Sequence, residues 1–249
     1  MTDRAATPLL EVDELATGYG DLRVVWDVSF SVPAGHITAL LGRNGAGKTT
    51  TLRAIAGLNR VAHGHITFKG DDISRMSTHR RIRHGIALVQ EGKRIFHRRT
   101  VEENLFLGGY PLGIGRRRLS SEADRIYELF PVLAARAKTV AGQLSGGQQQ
   151  MVAIGQALMA KPSLLMLDEP SSGLAPSIVA EVMSAVSSLT KDGLGIVLVE
   201  QAVEAAVSVA DDVVVLDVGR VVLRRRASEV DDLEILREAY FGRAPQPDR

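Results

Sequence analysis

Gly42-Arg43-Asn44-Gly45-Ala46-Gly47-Lys48-Thr49 is the stretch from which the rest of the chain is read. A glycine, four residues, a second glycine, a lysine and a threonine form the spacing of a phosphate-binding loop. An apolar run, Ile37–Leu41, precedes it. Leu52, Ile55 and Ala56 at helical spacing follow, which predicts a helix from Lys48 to about Leu58. Strand, glycine-rich loop and helix, in that order, are the setting the motif requires. Glycines let the backbone curl so that successive N–H groups converge on phosphate oxygens. The helix start adds the positive end of its dipole. Lys48 can reach β- and γ-phosphates, and Thr49 offers a hydroxyl to Mg²⁺. A functionless glycine-rich turn would match by chance with a probability on the order of one per cent. The candidate ATP contacts are therefore Gly42, Arg43, Asn44, Gly45, Ala46, Gly47, Lys48, Thr49 and the adjoining Thr50.

A second apolar run, Leu164–Leu167, ends in Asp168-Glu169-Pro170. Its unalternated character suits a parallel strand buried on both faces. An acid at the carboxyl end of such a strand points into the crevice where open α/β sheets bind ligands. Asp168 is placed to hold Mg²⁺, and Glu169 to polarise a water for attack on the γ-phosphorus. Two adjacent acids alone would more often merely end a strand. The loop at Gly42–Thr49 makes the catalytic reading the stronger one.

Working outward, strands alternate with helices: Ile196–Val199, a helix over Val203–Ala210, then Val213–Leu216. That order predicts a parallel α/β sheet. Leu9–Val12, Val28–Val32 and Gly64–Phe68 read as an added, antiparallel N-terminal β region. Val101–Leu107, Glu122–Leu133 and Gln148–Met159 read as helices of an inserted region at about 91–160. One domain over 9–243 is expected, with flexible tails at 1–8 and 244–249. The 249 residues, 45% hydrophobic, suffice for one sizeable core. Thirty basic and 29 acidic residues leave a net charge of +1, so nothing demands nucleic acid as a partner. The absence of cysteine excludes disulfides and thiolate metal sites. Met1–Pro8 lacks the apolar run of a secretory signal, and no stretch approaches the roughly 20 residues that span a bilayer. If the chain works at a membrane, another chain supplies the membrane.

Leu144-Ser145-Gly146-Gly147-Gln148, shortly before the Asp168-Glu169 strand, resembles the signature of ABC-transporter ATP-binding subunits. The resemblance covers nearly the whole chain. It implies a P-loop α/β fold, ATP and Mg²⁺ as cofactors, and ATP hydrolysis as the activity. It implies that Ser145, Gly146, Gly147 and Gln148 act in trans on ATP bound to a second subunit. Tyr19 in Gly18-Tyr19-Gly20 resembles the aromatic that stacks on adenine, and Gln90 the glutamine that touches Mg²⁺. The stretch from Glu91 to about Ala141 resembles the helical region that contacts a membrane permease. The family places such subunits at the cytoplasmic face of the membrane, with an extracytoplasmic substrate-binding protein as an indirect partner. Gln90–Phe96, Thr100–Leu105, Gly173–Pro176, Val199–Gln201 and Ala239–Gly242 are similar to importer subunits for branched-chain amino acids. Subunits for urea and short amides are close relatives.

Two positions depart from the family pattern. Gln201 stands where most members carry a histidine. An amide can donate a hydrogen bond to the γ-phosphate but carries neither proton nor charge. Glu169 and Lys48 are thus expected to do the chemistry and Gln201 to position. Ala175 stands where the family usually has an aspartate, which removes a polar contact across the dimer and leaves both a heterodimer and a homodimer open. Basic clusters at Arg80, Arg81, Arg83 and His84, at Lys93–Arg99, at Arg116–Arg118 and at Arg224–Arg226 are expected to be solvated faces. Contact with a permease or anionic lipid is the alternative. Two other classes were weighed. A nucleic-acid or ribosome-acting relative would carry two cassettes or long heptads, and a kinase would not explain Ser145–Gln148.

Overall fold

The computed structural model describes residues 8–230. The expected tails beyond those limits, the domain end at 243 and Ala239–Gly242 lie outside the described residues. The strands are β1 (Leu10–Tyr19), β2 (Leu22–Val32), β3 (Ile37–Leu41), β4 (Val61–Phe68), β5 (Asp71–Asp72), β6 (Ile86–Val89), β7 (Leu164–Asp168), β8 (Gly195–Glu200), β9 (Asp212–Asp217) and β10 (Arg220–Arg226). The helices are α1 (Lys48–Ile55), α2 (Thr78–His84), α3 (Val101–Gly108), α4 (Arg116–Leu129), α5 (Pro131–Ala134), α6 (Gly146–Leu158), α7 (Pro176–Ser188) and α8 (Val203–Val207). The strands lie in the order β5-β4-β1-β2-β10-β9-β3-β8-β7-β6. β9, β3, β8, β7 and β6 run parallel, whereas β2, β1, β4 and β5 are antiparallel. β10 joins the two parts, antiparallel to β9 and paired to β2 through Arg220 and Asp27.

The period of two along the parallel strands explains their continuous apolar sequences. Ala39, Leu165, Leu167, Ile196, Leu198, Val213 and Val215 enter one core with α3–α8. Leu40, Leu164, Met166, Val197, Val199, Val214 and Leu216 enter the other, beneath α1 and the antiparallel strands. Every residue of β3, β7 and β8 is buried, so one strand serves both faces.

Helices α3–α6 lie in the chain between β6 and β7. A capping box starts α3, with Thr100 and Glu103 exchanging side-chain and backbone bonds. Helix α3 crosses α6 so closely that a Cβ on Gly108 would lie 2.0 Å from the Gln156 carbonyl. Buried Asn104 accepts from the Phe96 N–H at 2.8 Å and donates to Thr100 O at 2.8 Å, tying the loop after β6 to this helix.

Strands β6 and β10 have no counterpart in the expected elements. Ile86–Val89 is short, and Arg220–Arg226 is dominated by a basic run that reads as surface. The tight turn at Val218-Gly219 folds β10 back along β9, and Arg224–Arg226 stay exposed beyond the single pairing of Arg220 with β2. The reading of Arg81 as part of a solvated basic face is corrected. Arg81 is 2% exposed, and its guanidinium donates to Ala54 O, Ile55 O, Met76 O and Ser74 O at 2.6–3.1 Å. It closes the C-terminal end of α1, where helix carbonyls lack intrahelical partners. Arg80, Arg83, Arg116–Arg118 and Arg224–Arg226 are exposed.

Candidate functional site

Registry brings the carboxyl ends of four parallel strands level. Leu41 pairs with Glu200, Asp168 with Val199, and Val89 with Leu167. Gly42, Gln90, Asp168-Glu169 and Glu200-Gln201 therefore emerge along one edge, the crevice of an open α/β sheet.

The loop from Gly42 to Gly47 curls through positive φ at Gly42, Gly45 and Gly47. A Cβ at Gly42 would lie 2.3 Å from Leu216 O, so only glycine fits there. The loop is pinned from outside by the Gly219 N–H, which donates to Ala46 O at 2.9 Å. Lys48 opens α1, and its ammonium bends back over the loop. It donates to Gly42 O at 2.6 Å and Arg43 O at 3.2 Å, and lies 3.9 Å from Glu169 Oε1. Burial lowers the Lys48 pKa, and Glu169, Asp168, Glu200 and Glu91 oppose that effect.

Thr49 Oγ1 donates to Asp168 Oδ1 at 3.0 Å. Burial pushes the Asp168 carboxyl up to about 6; the Thr49 hydrogen bond and Lys48 pull it down, while Glu169 and Glu91 add to the rise. Glu169 takes φ 50, a left-handed value that few non-glycine residues adopt. Gln201 Nε2 donates to Glu169 Oε2 at 2.6 Å. Lys48, Thr49, Asp168, Glu169 and Gln201 thus form one linked polar cluster at the mouth of the loop. Gln90 is half-buried one residue beyond β6, alongside Asp168 in registry.

Tyr19 is 47% exposed at the end of β1, with its hydroxyl 3.4 Å from Thr50 Oγ1. The Arg53 guanidinium sits 5.8 Å from its ring centroid. Arg43, Asn44 and Gly45 are exposed at the loop tip.

Ser145, Gly146, Gly147 and Gln148 bond among themselves instead of to the loop cluster. Ser145 caps α6, accepting the Gln148 N–H at 3.3 Å while Gln148 Oε1 accepts the Ser145 N–H at 3.2 Å. Helix α6 therefore starts at Gly146, two residues before the expected start at Gln148. Gly147 is required by packing, since a Cβ there would meet Ile178 Cγ2 at 2.3 Å. Ser145 and Gly146 are exposed, presenting a helix N-terminus on the surface.

Residues 25–172 match the family model described as "ABC transporter". The chain belongs to the ABC transporter family. It is 41% identical over 94% of its length, and over 100% of the relative, to the high-affinity branched-chain amino acid transport ATP-binding protein BraG of Pseudomonas aeruginosa. It is 35% identical over 94% of the chain and 99% of the relative to the probable branched-chain amino acid transport ATP-binding protein LivF of Archaeoglobus fulgidus. Among solved structures, the ADP conformation of an ATP-binding cassette of an ABC transporter superposes with a TM-score of 0.81 at 25% identity, covering 95% of this chain and 100% of that one. This ABC subunit is an ATP-binding subunit of a family that hydrolyses ATP. No helix among the described residues is long and apolar enough to cross a membrane.

The sequence reading missed Glu200 and Ser171. In the sequence, Val199-Glu200-Gln201 stands out only as a likeness. The signal was an acid directly following a continuous apolar strand, the same pattern that singled out Asp168.

Proposed function

We propose that this ABC subunit is the ATP-hydrolysing motor of an importer for branched-chain amino acids. What carries the catalytic part is the linked cluster of Lys48, Thr49, Asp168, Glu169 and Gln201 beside the phosphate loop. Lys48 exchanges its two loop carbonyls for phosphate oxygens when ATP enters. Glu169 accepts a proton from the attacking water, and Gln201 holds that carboxylate in place. Tyr19 stacks on adenine. Thr49 Oγ1 and Asp168 Oδ1 are hard oxygen donors 3.0 Å apart, and with Gln90 they fit Mg²⁺, which when bound neutralises charge on the β- and γ-phosphates.

Ser145–Gln148 act on ATP held by a second ATP-binding subunit, so both sites are complete only in the closed pair. ATP favours that closed state by binding it more tightly. With Ala175 at the loop after Glu169, the second subunit is a related but different chain. A steep rise of ATPase rate with concentration of the isolated chain would show a homodimer instead. The helical stretch from Glu91 to about Ala141 meets the permease, and the subunit lies on the cytoplasmic face of the membrane.

The cargo reading rests on the full-length likeness to a branched-chain amino acid subunit. Its test is reconstitution with the permease chains and the extracytoplasmic binding protein. Leucine, isoleucine or valine should stimulate ATP hydrolysis and be taken up. Stimulation by urea or short amides alone would overturn it.

A further inference from the structure

We infer that Glu200 is a positioning residue for ATP hydrolysis, acting through Ser171 on the turn that carries Glu169. The inference rests on the reading of Glu169 as the group that takes the water proton. Glu200 is 1% exposed at the end of β8. Its Oε1 accepts the Ser171 N–H at 2.9 Å, and its Oε2 accepts the Ser171 hydroxyl at 2.7 Å. Two oxygens at fixed spacing thus receive both donors of one residue.

The neighbours of Glu200 grip the same turn. Val199 O accepts the Glu169 N–H at 2.9 Å, and Gln201 donates to the Glu169 carboxylate. Three consecutive residues, 199–201, therefore hold residues 169 and 171. The turn needs holding, because Glu169 sits at φ 50, a conformation that persists only where the surroundings impose it. The chain goes on from Ser171 in tight turns. Ser172 N–H donates to Glu169 O and Leu174 N–H to Ser171 O, each at 3.1 Å. Glu200 thus ties the catalytic turn to the loop that ends at Ala175, before α7. A buried carboxylate is costly unless its acceptors are filled, and here Ser171 fills them. The charge of Glu200 is felt at Lys48, but its side-chain oxygens bond Ser171 and no side chain of the cluster at the loop mouth, and that geometry is the basis of the positioning role.

The test uses the full-length chain in its assembled transporter for turnover, and the isolated full-length chain for ATP binding. Trp26, the only tryptophan in the sequence, is the fluorescence probe: its backbone N–H donates to Gly219 O, its ring lies against Gly219, and Gly219 in turn bonds Ala46 of the phosphate loop. Glu200→Ala should lower kcat about tenfold and Ser171→Ala roughly three- to tenfold, with the ATP dissociation constant within about twofold of wild type. Glu200→Gln should recover to within about threefold, because its amide can accept the Ser171 N–H and donate to the Ser171 oxygen. The double variant Ser171→Ala/Glu200→Ala should fall no lower than Glu200→Ala, as expected for two residues on one path.

Glu169→Gln is the control. If it is inactive while Ser171→Ala and Glu200→Ala both keep wild-type kcat, the positioning role of Glu200 is wrong and the reading of Glu169 stands. If Glu169→Gln turns over normally, both fall. Glu200→Gln no better than Glu200→Ala would assign the effect to charge and overturn positioning. Parallel loss of kcat and ATP binding would reduce Glu200 to a general structural group. Should Glu200→Ala fail to fold, Ser171→Ala, which removes only a hydroxyl, decides.

Discussion

The two ends of α1 each hold a buried cation, and they use it differently. Lys48, at the first residue, donates to two carbonyls of its own loop and lies near Glu169. Arg81, at the last turn, spreads its donors over four backbone carbonyls drawn from α1 and the segment 74–76. Burial lowers both pKa values, Arg81 to about 10, which leaves it charged at neutral pH. The difference lies in what could displace the bonds. A guanidinium with four of its five N–H donors committed to carbonyls, at the negative end of a helix, is held in place by the backbone. An ammonium held by two loop carbonyls beside carboxylates can trade them for phosphate oxygens. One end of the helix is thus closed by its cation and the other is kept open for a substrate.

The largest expected effect breaks the comparison at its open end. Lys48→Met should lower ATP turnover at least about 100-fold, since it removes a charge aimed at the transferring phosphoryl group. Unfolding free energy should change by less than about 1 kcal/mol, because the lost bonds and the relieved desolvation roughly cancel. Turnover assays paired with urea melts separate the two. A large fall in stability would make Lys48 a structural cation like Arg81.

The closed end should behave the other way. Arg81→Met leaves four buried carbonyls without their donor, at a cost of about 3–5 kcal/mol. Turnover per folded molecule should stay within about twofold of wild type at temperatures below the lowered Tm. Selective loss of activity with an unchanged melt would give Arg81 a part in the nucleotide site.

These two residues also mark how far the sequence could be read. Lys48 was legible because its neighbours fix its chemistry: glycines before it, threonine after it, strand and helix on either side. Arg81 was not, because it lies in a run with Arg80, Arg83 and His84, and spacing alone does not tell which cation turns inward. The parallel strands were legible from their apolar runs, since burial on both faces removes alternation. Strand β10 was hidden by its arginines, and β6 by its four-residue length. Asp168 and Glu169 stood out against an apolar strand. Glu200 had the same setting, but its partner Ser171 is set by tertiary contact between β7 and β8.

A smaller effect tests whether the open end is electrostatically poised. The Asp168 carboxyl, pushed up to about 6, would ordinarily titrate near 3.8. Between those values the folded protein binds a proton that the unfolded chain releases. Stability then falls as pH rises through this window, by up to about 3 kcal/mol, and levels off above it. Melts in the presence of a chelator should show this slope in the wild type and lack it in Asp168→Asn. Equal slopes in both proteins would mean that Asp168 is not the strained group.

The smallest effect concerns the residue that touches the proposed base. Gln201 touches Glu169 through one amide N–H at 2.6 Å and is itself exposed. A neutral amide cannot take a proton near neutral pH, whereas a carboxylate can. Removing the amide therefore loosens the base without deleting it. Gln201→Ala should slow steady-state turnover by less than about tenfold, an energy below roughly 1.4 kcal/mol, against a fall on the order of 10²–10⁴ for Glu169→Gln. Gln201→His restores an imidazole at the same place and should add a pH dependence near neutrality that the wild type lacks. Comparable losses from Gln201→Ala and Glu169→Gln would move Gln201 from holding the base to sharing its chemistry. The open end of α1 would then answer to two residues of equal weight, where we propose one base and one support.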